Sequence, residues 1–531
     1  MPTSIYDIVL SNAQLSDLAN SQWMPYDSPF EAWSAQTSAY KTYKTHYDGE
    51  SLLAVVEDKN VAPDKQPLLY PLRMNKWAMT CDMHAMLMWG QSDSEKEDIR
   101  FLAERINPLD KKDTDKELSG RMGILFLSVL SENGGQEMLR EASKLFQVFG
   151  GHYFKVVHDP TYQLGVRIES LPANICYPIW NPANYRELYA LVVSYQITKR
   201  QAKELYGYEP QNDIAVYTES WDRENYVVRV DEKVITEEKN PYVMPGATKA
   251  HVPFIYIPRM RSGSFYGRSA LSQLAGLVQE YNARAADMGD AIASSAHRRT
   301  WMRNVREDVP NLNQLADGET INLGQELPGS GKPEMGVLDP PKVMEGSMEF
   351  LEFVRREQRE QSLTAPVIMG DDEGSQRSAL TLAMRALPTV TAVKDYRASW
   401  AKGFERMAMF AFLAMSLQPN KDEGGLTGAR LNGVNDEWFK FRLSPAFAQM
   451  LPRDRDAIVQ ETTTLYSAGL RSMELALQRL GDVHDVEAEA DAIKKAQEEK
   501  AAQDLEKMQV EADTMAKAKA AAAPKPAPKT K

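Results

Sequence analysis

The stretch VPFIYIPRMRSGSFYGRSALSQLAGLVQEYNARAADMGDAI, residues 252–292, decides how this chain is read. It opens with the apolar run Val252, Phe254, Ile255, Tyr256 and Ile257, a strand pattern closed by Pro258 and the turn residues Ser262 and Gly263. Leu271, Leu274, Val278, Tyr281, Ala285, Met288 and Ile292 then recur in steps of three and four, which puts them on one helical face. A rod of roughly 40 Å is expected at 1.5 Å per residue. Arg298, Arg299, Arg303 and Arg306 crowd its C-terminal end, where the helix dipole favours cations.

Downstream, Asn, Gly, Pro and short apolar runs between Trp301 and Pro341 predict a small, extended and irregular insertion. Helical spacing returns with Met348, Leu351 and Val354, interleaved with Glu349, Glu352, Arg355, Arg356 and Arg359. The segment PVIMGDDEGSQRS, Pro366 to Ser378, breaks that helix with a proline, two glycines and three consecutive acids. A final helix is expected from about Ser378 to Leu417, kinked at Pro388, whose ring clashes with the preceding turn and which lacks an N–H. The order is therefore rod, extended module, return helix, loop and second rod. Lys421 to Asn435 follows as a Gly-rich turn, and Trp438 to Leu443 reads as a strand returning to the upstream sheet. Three helices are expected at about Asp454 to Ser467, Ser472 to Leu480 and from Val486 onward, with Gly469 and Gly481 as stop residues. Beyond Gln509 the chain is dominated by Ala, Lys and Pro and predicts a flexible tail.

Upstream, residues 1–50 are polar and aromatic without strong periodicity and read as a partly ordered arm. Leu52 to Val56 is strand-like, while Trp77 to Trp89 and Gln136 to Val148 carry helical spacing. From Gly151 the pattern is β-rich, with strands expected at His152 to Val157, Gly165 to Ile168, Leu188 to Ile197, Ile214 to Glu219 and Tyr226 to Val230. A helix, Thr198 to Tyr206, interrupts them. The expected class is α+β, mainly helical.

At 531 residues the chain is long enough for a sizeable core and several structural regions. No apolar run reaches the roughly 18 residues of a membrane span; Met407 to Leu417 is too short. No signal peptide and no membrane partner are expected. Two cysteines, Cys81 and Cys176, read as buried small hydrophobes rather than a disulfide scaffold. The net charge of −12 argues against a tight general DNA binder, which needs a basic face, and suits either plain solubility or a conduit that lets DNA slide. Catalytic motifs are missing. At Gly329, Ser330, Gly331, Lys332 the Walker pattern fails, with Glu326 where Gly is wanted and Pro333 where Ser or Thr would bind Mg²⁺. His46, His84, His152, His158, His251, His297 and His484 are scattered without zinc spacing, and no Ser/His/Asp order stands out. Three consecutive acids, Asp371, Asp372 and Glu373, rarely converge on a metal without a further ligand. No cofactor, no metal and no enzyme activity are expected.

The order of elements resembles the tailed-bacteriophage portal protein, or head-to-tail connector, family. The residues that carry the resemblance are 252–292 quoted above, SLTAPVIMGDDEGSQRSALTLAMRALPTV at 362–390 and, more weakly, SAGLRSMELALQRLGDVHDVEAEADAI at 467–493. It implies an arm (1–50), a wing (51–260), stem helices (261–300 and 343–365) around a clip (301–342), and a tunnel loop (366–378). It further implies a long kinked helix with a return to the wing (379–450), a helical crown (451–509) and a disordered tail (510–531). Met369, Gly370, Asp371, Asp372, Glu373, Gly374, Ser375 and Gln376 would project into a DNA channel, with Pro388 as the kink and Arg298, Arg299, Arg303 and Arg306 at the clip end. The resemblance implies a cyclic homo-oligomer of about twelve subunits at one capsid vertex of the virion, assembled in the host cytoplasm. Its implied partners are the terminase large subunit, head-tail adaptors, major capsid and scaffolding proteins, and double-stranded DNA passing without sequence specificity. The competing classes are a nucleic-acid-acting packaging enzyme, which needs a nucleotide loop or a carboxylate site, and a non-ring capsid structural protein, separated by particle symmetry.

Overall fold

The computed structural model describes residues 29–50, 74–89, 99–110, 115–181, 184–261, 265–296, 300–304, 332–337, 346–370, 379–417, 436–448, 450, 455–480, 489–500 and 507. They form a mixed helix-and-sheet structure of the α+β class in two compact units, Met1–Met450 and Leu451–Lys531.

In the first unit, helices α1 (Pro29–Tyr47), α2 (Lys76–Trp89), α3 (Asp115–Glu132) and α4 (Gly135–Phe149) precede most of the sheet. Helix α2 follows its apolar spacing: Trp77, Cys81, His84, Ala85 and Met88 form one buried stripe against α4. Helix α1 is the described part of the region read as a partly ordered arm without strong periodicity. Trp33 and Tyr40 are buried seven residues apart, two turns along one face, and the Trp33 indole donates to the Pro178 carbonyl at 2.9 Å. That stripe is too sparse to stand out among the polar residues around it.

Two antiparallel sheets follow. Strands β2 (Gly151–His158), β3 (Val166–Pro172) and β9 (Phe254–Pro258) pair in the order β3-β2-β9. Seven of the eight β2 residues are buried, so the strand is covered on both faces and shows no alternation of burial. Strands β4 (Cys176–Asn181), β5 (Asn184–Thr198), β6 (Ile214–Trp221), β7 (Asn225–Val230) and β8 (Lys233–Lys239) make a meander in sequence order. The short helix α5 (Lys199–Tyr206) sits between β5 and β6. Its start is fixed by a capping box, in which the Thr198 hydroxyl accepts from the Gln201 N–H and the Gln201 side chain accepts from the Thr198 N–H.

The rods are helices α6 (Ala275–Ala296), α7 (Ser347–Gln361) and α8 (Ala379–Ser416), with a two-stranded ladder of β10 (Thr300–Arg303) and β11 (Glu334–Val337) between α6 and α7. Leu271 and Leu274 lie in a turn before α6, so this helix is shorter than expected, about 33 Å at 1.5 Å per residue. The turn is buried at Leu271 and Leu274 and the helix at Val278, but the helix is open at its far end, where Ile292 is 59% exposed. Helix α8 continues through Pro388 as one element of 38 residues. Its second half lies in the core, with Val393, Tyr396, Trp400, Phe404 and Met407 all fully buried. Trp400 meets Trp89, Phe146 and Phe154 edge-on, with ring centroids 5.2–5.8 Å apart. Gly403 permits this approach, because a Cβ there would lie 2.3 Å from Ile257 of β9.

Five elements depart from expectation. Strand β1 (Ile99–Arg105) and helix α3 were not foreseen, and neither were β4 and β8. The strand anticipated near Trp438 begins later, as β12 (Phe441–Phe447) after a 3-10 turn, and it pairs antiparallel with β1 rather than extending either sheet of residues 151–258. The strand-like run at 52–56 and the Gly-rich turn at 421–435 lie outside the described residues.

The second unit contains α9 (Arg455–Ser467) and α10 (Met473–Leu480), which pack together, and helical residues 489–500. Gly469 takes φ +69 just past the first of these, as a helix stop requires.

Candidate functional site

The segment that the sequence singles out begins where α7 ends. Ser362 caps the helix, Leu363 turns to φ +54, the Leu363 N–H bonds the Glu360 carbonyl and the Thr364 N–H bonds the Arg359 carbonyl. This is the hydrogen-bond pattern of a left-handed helix stop, normally made by glycine. A leucine there costs about 1–2 kcal/mol of backbone strain, and its side chain remains 42% exposed. Pro366–Met369 then make one 3-10 turn that ends at Gly370, whose φ of +76 closes it.

Residues on both sides hold this segment in place. The Thr389 hydroxyl, fully buried on α8, donates to the Leu363 carbonyl at 2.7 Å and accepts from the Ala365 N–H at 2.8 Å. His84 Nε2 of α2 lies 3.1 Å from the Thr364 hydroxyl, to which Ser362 Oγ donates at 2.9 Å. Burial and the Arg259 guanidinium push His84 down to about 3, so its ring is neutral at physiological pH. Arg259, also buried, donates to Gln147 and the Arg268 carbonyl and bonds the Tyr396 hydroxyl while lying over that ring. Desolvation lowers its affinity for the proton.

Around the segment the surface is grooved and apolar. A cleft of about 890 Å³ opens between α7 and the start of α8, walled by Met348, Phe353, Leu363, Pro366 and Pro388. A second, about 440 Å³, lies on the other side of Leu363 against Met384, Leu387 and Tyr396. Met369 lines a third with Met83, Val278 and Tyr281, where Lys76 sits 3.3 Å from the Tyr281 ring centroid. Burial, Arg355 and Arg359 bring Lys76 down to about 8.

Of the residues expected at a channel loop, Met369 and Gly370 end the 3-10 turn, while Asp371, Asp372, Glu373, Gly374, Ser375 and Gln376 lie outside the described residues. Pro388 is inside α8, one residue before Thr389. Arg303 is in β10, and Arg298, Arg299 and Arg306 lie outside the described residues. Lys332 stands in extended chain, where its carbonyl accepts from Asn304 Nδ2. Sequence reasoning missed Thr389, Thr364 and Arg259. His84 was read only as one of the scattered histidines, not as a tether.

Cys81 and Cys176 are free thiols in the core, the first pushed up to about 12 by burial. Among the described residues no cluster of three His, Cys, Asp or Glu side chains suits a metal ion, and no helix is long and apolar enough to cross a membrane. No curated protein matches the chain. A family model does, the phage portal protein, SPP1 Gp6-like, and it covers residues 106–503. That span takes in both sheets, all three rods and the described helices of the second unit, and the chain therefore belongs to the phage portal protein family.

Proposed function

We propose that this chain is the repeating subunit of a ring at one capsid vertex, the channel through which a tailed-phage genome is packaged and ejected. The family match over residues 106–503 carries this reading. In it, residues 51–260 form the wing, α6 and α7 the stem, 301–342 the clip, 366–378 the tunnel loop, α8 the long inner helix and 451–509 the crown. About twelve copies close the ring, since a head-to-tail interface whose rotation closes makes a cycle. The terminase motor and later the head-tail adaptors dock at the clip, and capsid and scaffolding proteins surround the wing. Action is mechanical, with ATP hydrolysis left to the separate motor.

The exposed surface supports this reading. Met348, Phe350 and Phe353 on α7 and Met384 and Leu387 on α8 are 43–66% exposed in the single chain, a density of solvent-facing apolar groups that suits cover by a neighbouring copy. Negative-stain images of the purified chain are expected to show closed rings with a central hole wide enough for duplex DNA. Monomers or dimers at every salt and protein concentration, with no ring in assembled particles, would remove the portal-subunit reading.

The three acids of residues 371–373, repeated by every subunit, would line the channel with negative potential that keeps phosphates from adhering. Replacing Asp371, Asp372 and Glu373 together by Lys is expected to leave rings intact and to slow packaging at low salt, with partial recovery as salt rises, because each cation then holds phosphate by counterion release. Packaging at the normal rate, without salt dependence, would take the loop out of the channel.

A further inference from the structure

We infer that Thr389, the residue after the helix proline, fixes the base of the channel segment, with His84 as a second tether, and that DNA translocation depends on this hydroxyl. The translocation half of the inference rests on the portal reading; the fixing half does not.

The exposed start of α8 makes the case. From Thr381 to Thr391 this helix is largely open to water, and its buried positions are Ala386 and Thr389, three residues apart on one face. A helical threonine commonly turns its hydroxyl back onto a carbonyl of its own preceding turn. Thr389 instead spends both hydrogen-bonding capacities on another element, the Leu363 carbonyl and the Ala365 N–H. Pro388 has no N–H to give and makes no such bond. The residue between the two, Thr364, is held instead by His84 on α2. Three consecutive residues, all on the approach to the loop, are thus gripped from two helices at once. One of them is Leu363, whose left-handed backbone is unfavourable for a leucine and stays in place because its surroundings fix it.

The grip extends to the segment itself. Ala365 leads directly into Pro366, whose ring fixes φ, and the Ile368 and Gly370 N–H groups bond back to the Ala365 and Val367 carbonyls. Residues 365–370 therefore form one short rigid piece anchored at the Thr389 hydroxyl. Force applied at Gly370 by passing DNA would be resisted there and handed to α8, whose other half is in the core.

Thr389→Val keeps the shape and removes both bonds, which leaves the Leu363 carbonyl and the Ala365 N–H without partners. Hydrogen exchange of the full-length protein, read at the Ala365 amide, is expected to quicken about ten- to a hundred-fold, and packaging in reconstituted heads to slow about several-fold by the same loss of positioning. Thr389→Ser, which keeps the hydroxyl, is expected to restore both to within about two-fold. If Thr389→Val does not fold, Thr364→Val carries the test from the His84 side, with faster exchange over residues 363–369 and slower packaging expected. Unchanged exchange at Ala365 in a folded Thr389→Val, or unchanged exchange over 363–369 in Thr364→Val, overturns the clamp. Faster exchange with packaging at the wild-type rate overturns its role in translocation. Failure of the wild-type chain to form rings would instead strike the portal reading, and the exchange measurement would still decide the clamp.

Discussion

Glu219→Gln is expected to destabilise the first unit by about 3 kcal/mol or more, one of the two largest effects anticipated here. Its carboxylate lies on β6 of the five-stranded sheet and meets Lys155 Nζ, on β2 of the three-stranded sheet, at 2.7 Å, with both side chains 7% exposed. The Tyr217 hydroxyl and the Trp221 indole N–H donate to the same carboxylate. Taking two charges out of water is costly, so the pair is not in itself a large source of stability. Removing one partner is worse, since it leaves a buried ammonium whose remaining carboxylate, Glu169, is 3.5 Å away and partly solvated. Denaturant unfolding of Glu219→Gln, and of the double variant Lys155→Met with Glu219→Gln, which keeps an acceptor for Tyr217 and Trp221, tests this. The single change should cost clearly more than the double. A single variant within about 1 kcal/mol of wild type would show that the ion pair does not hold the two sheets together.

The Lys155 to Glu219 contact also shows where sequence reading stops. Both residues sit in strands that Val, Ile, Tyr and Phe make legible, because those side chains suit a pleated, half-buried surface. Their meeting across 64 positions leaves no local trace. The same holds for β1 and β12, paired over more than 330 residues, where β1 (IRFLAER) is short and half charged. Helices with dense stripes, α2 and α4, were readable almost to the residue, whereas α1, with one buried aromatic per two turns, was not. At the candidate site the proline and glycine punctuation of Pro366 to Gly370 announced the turn, since both residues act through their own backbone. The side chains that hold the turn, Thr389 and Thr364, act through tertiary contacts and look like any other threonine. An exposed rod with an apolar face, as at Met348 and Ile292, was legible as a helix, but the exposure of those side chains emerges only from the folded chain. That gap between a good helical pattern and an open apolar face is what a subunit made for assembly would display.

Acidification from pH 7 to 4.5 is expected to remove roughly 5 kcal/mol of stability through His84 and His152 alone. Burial pushes both down to about 3, and each has a ring Nδ1 that is buried without a hydrogen-bond partner. His152 bonds Ser170 through Nε2 at 2.8 Å, and His84 bonds Thr364. A histidine whose folded value lies below its unfolded one is held neutral by the fold, so the unfolded chain takes up protons first. Stability is then complete above about pH 6.5, declines as pH falls through the window from 6.5 to 3, and declines at about 1.4 kcal/mol per pH unit for each ring. Buried His46 and exposed His251 are lowered in the same sense, with smaller effect. Asp159, held low chiefly by its bonds from Thr161 against the cost of burial, adds its own loss below about pH 4. The measurement is denaturant unfolding from pH 7 to 4.5 for the wild type and for His152→Gln, whose side chain can still bond Ser170 but cannot titrate. The variant should lose about half the pH slope. An unfolding midpoint that stays flat down to pH 4.5 would mean that both rings titrate alike in the folded and unfolded chain and are charged in the fold at pH 4.5, and a slope unchanged in His152→Gln would say so of His152 alone. With a flat midpoint, the His84 tether on Thr364 would be an imidazolium at the acid end of that range and neutral only near pH 7.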